Sequence, residues 1–334
     1  MVDSNSPKTR LLPWMALLTV WVAWGSTYLG IHVAVETIPP LLMAGTRFVV
    51  AALILLAVFG PRHATGEHRP TRPQARSAAI VGLLMLLGGN GLLCIGELHL
   101  ASGTAAVLVA TVPIWMVLIN AVVTRTRVPR ALIAALATGL VGIAILVAGP
   151  SGSIGIAAPA LVLFASLLWA AGSVYGRTAP LPKHPIIASS YEMLAGGIGC
   201  IVAGIARGEL SQLKFSAMTA ASLGGLAWLV VAGSIIGFTA YLYANRTLPN
   251  DILATYAYVN PIIAVLLGTM IGSETLSLNV LIGGAIVIGS VAVVIVGRFG
   301  QARKQEEELE EEPSEASSEE SEEEPTVSTS LGTA

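Results

Sequence analysis

Charge is scarce along most of this sequence. Only 11 % of the 334 residues are charged, whereas 54 % are hydrophobic and 6 % aromatic. That balance lies well outside the composition of water-soluble globular domains. The only two cysteines, Cys94 and Cys200, both fall within apolar stretches, so a disulfide framework is not expected.

Motifs for nucleotide or metal chemistry are also missing. No segment has the form GxxxxGK[ST], so direct use of ATP is not expected. The histidines are too scattered along the chain to form a metal cluster: His32, His63, His68, His99 and His184. We therefore expect no cofactor and no bound metal, and nothing indicates a nucleic-acid partner.

Long apolar runs dominate the sequence instead. A bilayer core about 30 Å thick is spanned by roughly 20 apolar helical residues. Stretches of that length follow one another with short connections, at 13–35, 40–59, 77–98, 102–124, 129–148, 154–176, 186–206, 217–244, 250–272 and 278–298. The sequence predicts an all-α integral membrane protein with ten transmembrane helices, embedded in a lipid bilayer.

The formal net charge of −2 averages two unlike parts. Twelve of the twenty acidic residues lie between Glu306 and Glu324, whereas the body through Gly300 has eight acidic and sixteen basic residues. Residues 300–334 are therefore expected to form a disordered acidic cytoplasmic tail. Residues 1–10 are expected to form a short cytoplasmic N-terminus.

The distribution of lysine and arginine predicts the orientation, because these residues accumulate in cytoplasmic loops. Fifteen of them lie in the termini and in alternate loops, against two, Arg207 and Lys214, in the other set of loops. Both termini are predicted to be cytoplasmic in a multi-pass inner-membrane protein. The loops around Glu36, Glu97 and Glu274 should face outward.

The chain repeats itself weakly, with a period near 147 residues. The segment Gly25–Tyr28 matches Gly172–Tyr175, and Pro113 in the fourth span matches Pro261 in the ninth. Each half holds five spans, so the second half must enter the membrane inverted. Inverted repeats around a shared site are typical of secondary transporters.

Several segments resemble the EamA-type branch of the drug/metabolite transporter superfamily. They are Trp24–Tyr28, Ala44–Phe48, Ala110–Pro113, Ala254–Pro261 and Gly272–Leu276. The resemblance covers residues 11–299 and implies two EamA-type five-helix repeats, 11–148 and 154–299, inverted around a central cavity. It also implies a bacterial inner-membrane permease that exports amino acids, related metabolites or drugs.

Charged residues within spans are functional candidates, because burying a charge in a membrane is costly. Depth along the helices predicts two polar clusters, Arg47 with Glu97 on the outer side and Glu192 with Asn245 and Arg246 on the inner side. They are either static ties between helices or gates that break as the cavity changes sides. Arg47 could instead hold a substrate carboxylate, and Glu97 or Glu192 could carry a coupling proton.

The remaining candidates are aromatic and polar residues beside the proline kinks. Tyrosine within a span needs a partner for its hydroxyl, and proline frees a helical carbonyl. Some of these residues could equally anchor the protein at the membrane interface or form simple packing kinks. The candidates for substrate binding or gating are Trp24, Ser26, Thr27, Tyr28, Thr111, Pro113, Tyr175, Tyr241, Tyr256, Tyr258, Asn260 and Pro261.

Together these patterns predict a secondary transporter of small metabolites, an exporter that works by alternating access. The alternatives are a membrane-embedded lipid-modifying enzyme or a channel. The enzyme would need a carboxylate, histidine or serine cluster at one membrane face, and the sequence has none in motif spacing. The glycine-rich fifth and tenth spans are expected to be packing helices, with a homodimer face as a further option.

Overall fold

The computed structural model describes residues 7–63, 69–127, 130–147, 156–248, 252–253, 255–275 and 277–293. These residues form helices without a β-strand among them. The helices, numbered along the chain, are α1 (Pro7–Val35), α2 (Pro40–His63), α3 (Arg72–Gly96), α4 (Ser102–Val109 and Val112–Val123), α5 (Arg130–Val147), α6 (Ala157–Thr178), α7 (Pro185–Ala206), α8 (Ala220–Trp228, Leu229–Ile236 and Gly237–Thr247), α9 (Tyr256–Met270) and α10 (Leu278–Val293).

These helices confirm the predicted all-α membrane fold. Seven of them are long and apolar enough to cross a bilayer, and shorter apolar helices occupy the positions of α5, α9 and α10. Helix α1 begins at Pro7, so it includes the end of the predicted N-terminal segment 1–10. The predicted acidic tail 300–334 lies outside the described residues.

Local sequence explains where several helices begin and end. Thr71 and Gln74 form a reciprocal capping box at the start of α3, and Thr219 accepts a hydrogen bond from the Ser222 amide at the start of α8. Helix α7 starts with Pro185, whose missing N–H costs nothing there. It ends before Gly208, which has a left-handed φ of 79°.

We call the side of the bundle where α1 begins the N-terminal face, and the other side the opposite face. On the opposite face, carboxylates from the second half of the chain cap two helices of the first half. Glu209 accepts hydrogen bonds from the Leu41 and Leu42 amides of α2, both at 3.0 Å. Glu274 accepts one from the Ser102 amide of α4 at 2.8 Å. Both anions therefore lie at the positive end of a helix dipole.

Glycines let the helices approach closely. This is expected in a membrane, because the hydrophobic effect does not drive helices together in lipid and close packing must do so instead. A Cβ at Gly82 of α3 would overlap with the carbonyl oxygen of Glu192 on α7. Helices α2 and α7, which are equivalent in the two repeats, meet at Gly45 and Gly197. Helices α5 and α10, which were both expected to be packing helices, meet each other at Gly142 and Gly283, where a Cβ added to Gly142 would lie 2.9 Å from the Gly283 carbonyl oxygen.

The close contact between α3 and α7 predicts a stability effect. Gly82→Ala should destabilise the protein by about 1–3 kcal/mol, since the new methyl group must displace backbone. Thermal unfolding of purified protein in detergent measures this as a lower midpoint temperature. Gly60→Ala on α2 is the matched control, because a Cβ there meets nothing within 4 Å. Equal midpoints for the two variants would contradict this packing.

Candidate functional site

A central cavity lies among the helices of both halves. Its volume, measured as the space open to the centres of water molecules, is about 110 Å³. A cavity of this size can hold several water molecules or a small organic molecule. The side chains that line it include Trp24, Thr27, Tyr28, Arg47, Phe48, Asn90, Trp169, Phe238, Tyr256, Asn260 and Pro261.

One wall of the cavity is aromatic and is centred on Trp24 of α1. Its ring is stacked on Tyr241, with ring centroids 5.1 Å apart, and is edge-on to Phe238 and Tyr256, each at 5.4 Å. Its indole Nε1 donates a hydrogen bond to the Gly233 carbonyl oxygen at 3.2 Å. The Arg177 guanidinium lies within electrostatic reach of Tyr241 and Tyr256. The wall can hold an apolar or aromatic group, with a cation nearby.

Arg47 is the buried cation of the cavity, with 4 % of its surface exposed. Its Nε donates to the Ser234 hydroxyl oxygen at 2.9 Å, and its guanidinium carbon lies 4.9 Å from the centroid of the Phe48 ring. Its Nη1 has no hydrogen-bond partner, and neither does Oδ1 of Asn260, which also lines the cavity. A buried polar atom without a partner costs about 1–3 kcal/mol. Two residues of the cavity lining therefore each have one buried polar atom without a partner, a donor in Arg47 and an acceptor in Asn260.

Two π-helical segments position these groups, one in α3 (Leu83–Gly91) and one in α8 (Leu229–Ile236). They occupy equivalent places in the two halves. The first presents Asn90 to the cavity, and the second presents Ser234 to Arg47. π-Helical turns are rare and are frequent at functional sites. Their occurrence at matching positions gives the repeat a structural counterpart that the sequence comparison had not found.

The two prolines of the repeat also lie at the cavity. Helix α4 breaks between Val109 and Val112, and Pro113 follows directly. Pro261 lies inside the continuous helix α9. Neither proline can donate to the carbonyl four residues earlier, in Val109 and Ala257 respectively. Both of those residues line the cavity, so backbone polarity concentrates there.

The cavity is sealed towards the opposite face. There α4 packs on α9, with a Cβ at Gly103 falling 2.7 Å from Val265, and the loop after α9 packs on α1, with a Cβ at Gly272 falling 2.8 Å from Leu29. Leu100, in the loop before α4, is 2 % exposed.

Towards the N-terminal face, α8 packs on α1 and also shares a small pocket with α3 and α7. Helix α3 contacts α6 and α7, as Gly172 and Gly196 show, whereas α8 contacts α1 at Gly237. The cavity residues Trp24, Tyr256 and Trp169 are each partly exposed. Because Tyr256 and Trp169 lie on the N-terminal side of the cavity, we infer that the cavity is reached from the N-terminal face.

The predicted pairing of Arg47 with Glu97 is wrong in this conformation. Glu97 is 1 % exposed, but neither of its carboxyl oxygens has a hydrogen-bond partner, and no N···O distance to Arg47 is within 4.0 Å. The reason is that Arg47 extends across the cavity to Ser234, whereas Glu97 lies beyond the last turn of α3, close to Glu274. Depth along the helices matched the two residues but could not give the direction of either side chain.

Other predicted residues lie outside the cavity lining. Ser26 accepts a hydrogen bond from Nε1 of Trp228 at 2.9 Å and so ties α1 to α8. Thr111 is buried and donates to the Leu108 carbonyl oxygen at 2.7 Å, at the break in α4. The Tyr175 hydroxyl lies 3.5 Å from that of Ser77. Tyr241 contributes through its stacking on Trp24.

The predicted inner cluster is only partly described. Glu192 lines a small pocket between α3, α7 and α8, together with Ser189 and Phe238. The side chains of Asn245, Arg246 and Tyr258 lie outside the described residues. Of the predicted candidates, the structure brings together around the cavity Trp24, Thr27, Tyr28, Arg47, Pro113, Tyr256, Asn260 and Pro261.

Sequence reasoning missed five residues of the site described above: Asn90, Trp169, Phe48, Ser234 and Phe238. A signal existed for the first two. Asn90 is an isolated amide within an apolar span, and Trp169 follows the repeat pattern that Trp24 begins. Phe48, Ser234 and Phe238 had no comparable signal, because serine and phenylalanine are common in packing helices.

An all-helical membrane bundle of two repeats around a central cavity is typical of secondary transporters. Comparison with known families agrees: residues 12–148 and 157–296 each match the EamA-like transporter family. The chain belongs to that family.

Relatives match over nearly their full length. The chain is 39 % identical to the inner membrane transporter YedA of Escherichia coli K12, over 87 % of this chain and 93 % of YedA. It is 27 % identical to a Streptantibioticus cattleyicolor protein named "Probable terminal-alkyne amino-acid exporter", over 88 % of this chain and 95 % of that one. A solved structure titled "Crystal structure of protein" aligns with a TM-score of 0.57 at 17 % identity, over 84 % of this chain and 95 % of that chain, which supports the fold alone.

The closure at the opposite face predicts an accessibility pattern. With Cys94 and Cys200 replaced by alanine, a cysteine at Ala257 in the cavity should react with a membrane-impermeant thiol reagent from the same side as a cysteine at Arg177. It should not react from the side that labels Leu98→Cys, which is exposed on the opposite face. Sealed vesicles of both orientations provide the measurement. Labelling of Ala257→Cys from the Leu98 side alone would reverse the assignment of the open path.

Proposed function

We propose that this protein is a secondary transporter of the bacterial inner membrane that exports amino acids or closely related metabolites by alternating access. The observation that carries the proposal is that two residues lining one cavity, Arg47 and Asn260, each have a buried polar atom without a hydrogen-bond partner, Nη1 and Oδ1 respectively. Each would gain a hydrogen bond from a ligand with the complementary group.

The chemistry of the pair favours a zwitterion. The Arg47 guanidinium suits a carboxylate, because charge-assisted hydrogen bonds to that group are strong and can be bidentate. The Asn260 amide oxygen is an acceptor and suits an ammonium group. An α-amino acid carries both groups on one carbon atom, so a single ligand of small size can satisfy both atoms.

The aromatic wall suits the side chain of such a ligand. Trp24, Tyr256 and Phe238 offer apolar ring surface beside the polar pair. The relative named as an amino-acid exporter supports the same substrate class. We infer that substrates with apolar or aromatic side chains are preferred over charged ones.

The orientation supports export. The lysine and arginine distribution assigns the N-terminal face to the cytoplasm, and the open path to the cavity leads from that face. The cavity in this conformation would therefore load from the cytoplasm. The seal at the opposite face is the feature that favours a transporter over an open channel, since a transporter exposes its site to one side at a time. The inner-membrane location is supported by the name of the YedA relative.

Transport of labelled amino acids into proteoliposomes tests the proposal. Each proteinogenic L-amino acid is offered outside vesicles that contain the purified protein, with and without a pH gradient and a membrane potential. We expect uptake above that of protein-free vesicles for a subset with apolar or aromatic side chains. Uptake of none of them, by protein shown to be folded, would reject this substrate class.

Removal of the charge on Arg47 should weaken substrate binding. Arg47→Gln should lower the apparent affinity roughly 10–100-fold, since a hydrogen bond to a charged group contributes about 1.5–3 kcal/mol. Arg47→Lys should recover part of that loss, because the charge returns without the planar fork. Arg207→Gln is the control, since Arg207 is an exposed residue that pairs with Glu209 away from the cavity. Unchanged uptake by Arg47→Gln would exclude Arg47 as the carboxylate site.

A further inference from the structure

Glu97 is the most deeply buried carboxyl group among the described residues and has no partner in this conformation. It follows the last turn of α3 on the opposite face, with 1 % of its surface exposed. Both of its carboxyl oxygens lack a hydrogen bond. A carboxylate buried in this way would pay a large desolvation cost, so the neutral acid is the form that the site favours.

The surroundings of Glu97 offer little to offset a negative charge. The groups that face it are Glu274 from the loop after α9, Arg47 from α2, Tyr28 from α1 and Cys94 from its own helix. Arg47 is the only cation of this set, and it is hydrogen-bonded to Ser234 instead. Glu274 adds a second negative charge that opposes ionisation.

The same region forms the seal of the cavity. Glu274 bridges α4 and α9: its Oε1 accepts from the Ser102 amide at 2.8 Å, and its Oε2 from the Gly103 amide at 3.4 Å. The hydroxyl oxygen of Ser102 is fully buried and also has no partner. Two unpartnered buried groups therefore lie where α3, α4 and α9 meet, at the end of the cavity that is closed.

We propose that Glu97 is a proton-binding site whose protonated form holds the opposite face closed. When the seal opens, water reaches the carboxyl group, which releases its proton to that water and becomes a carboxylate. Closure requires the reverse step, in which the carboxylate takes a proton from water at the opposite face. The inference rests on the proposed transport cycle for its role, but the binding of the proton can be measured without a substrate.

Thermodynamic linkage between proton binding and closure sets how strongly pH changes the population of the closed state. If the closed form binds one more proton than the open form, the ratio of closed to open protein changes by up to about tenfold per pH unit. The closed form is favoured as the pH falls, because protonation occurs there. Linkage is reciprocal, so opening of the seal releases a proton and closure of the seal takes one up.

Glu209 provides a matched comparison on the same face. Like Glu274, it caps a helix of the first half, and it is 3 % exposed. Unlike Glu97, it accepts two backbone hydrogen bonds and lies 3.8 Å from Nε of Arg207. It joins α7 to α2 rather than α4 to α9, so its neutralisation should leave the pH response of the seal intact.

The test measures opening of the seal as a function of pH. In a background with Cys94 and Cys200 replaced by alanine, Leu100→Cys reports opening, since Leu100 is 2 % exposed. Leu98→Cys, at a position 43 % exposed, reports the intrinsic thiol chemistry. The protein, reconstituted in lipid, is labelled with a membrane-impermeant maleimide, and the rate at position 100 is divided by the rate at position 98 at each pH.

We expect this ratio to rise with pH, by up to about tenfold per pH unit within the titration range. Adding Glu97→Gln, which mimics the protonated form, should give a low ratio that does not change with pH. Adding Glu209→Gln should keep the rise. A constant ratio in the parent background, or a rise that survives Glu97→Gln, would overturn the proposal.

Infrared spectroscopy gives a second readout that does not depend on labelling. Difference spectra of the reconstituted protein between mildly alkaline and mildly acidic pH should contain a carboxylic-acid C=O band that Glu97→Gln removes and Glu209→Gln does not. Retention of the band in Glu97→Gln would contradict the assignment. In the labelling experiment, a ratio that changes with sodium concentration at fixed pH would also contradict it. Both experiments omit substrate, so their failure would leave the amino-acid transport result standing, and the reverse also holds.

Discussion

The interior of a bilayer supplies no hydrogen bonds, so every backbone polar group there must be satisfied by the protein. This constraint decides where the helices of this protein can be irregular. The π-helical segment of α3, the break in α4 and the proline of α9 all contribute residues to the cavity lining, and the π-helical segment of α8 contacts the lining residues Trp24 and Arg47. Irregular backbone is tolerated there because water or a ligand can reach it, and the same backbone gives the cavity its polarity.

The two halves keep the same backbone plan but carry different chemistry. The π-helical segments and the prolines 113 and 261 occupy equivalent positions, whereas Arg47 of α2 is matched on α7 by Glu192. Arg47 lines the central cavity, and Glu192 lines a separate pocket against α3. The backbone is therefore symmetric, whereas the side chains are not: the buried cation that lines the cavity, Arg47, comes from the first half.

Much of the fold could be predicted because bilayer thickness and loop charge act on composition alone. The spans, their number and the cavity residues Trp24, Arg47 and Asn260 followed from periodicity, repeat position and the proline at 261. The contact between Arg47 and Ser234 could not be predicted, since an arginine side chain reaches several partners and sequence depth gives no direction. The π-helical segments were missed for a related reason: an extra residue in a helical turn leaves the apolar pattern almost unchanged.

The caps on the opposite face explain how one chain can close one side without locking the other. Helices α2 and α4 begin there, and their positive dipole ends need anions that the first half does not supply in the described residues. Glu209 and Glu274 come from the second half, so each cap joins the two repeats. The α2 cap lies beside α7, which packs closely on α2 where Gly45 meets Gly197. We therefore expect the hydrogen bonds of this cap to persist. The α4 cap lies at the end of the cavity beside the unpartnered Glu97, so an opening motion that separates α4 from α9 must separate Glu274 from its amides. In the proposed cycle, the Glu274 carboxylate and the helix end would then both be hydrated, which would offset part of the lost contact.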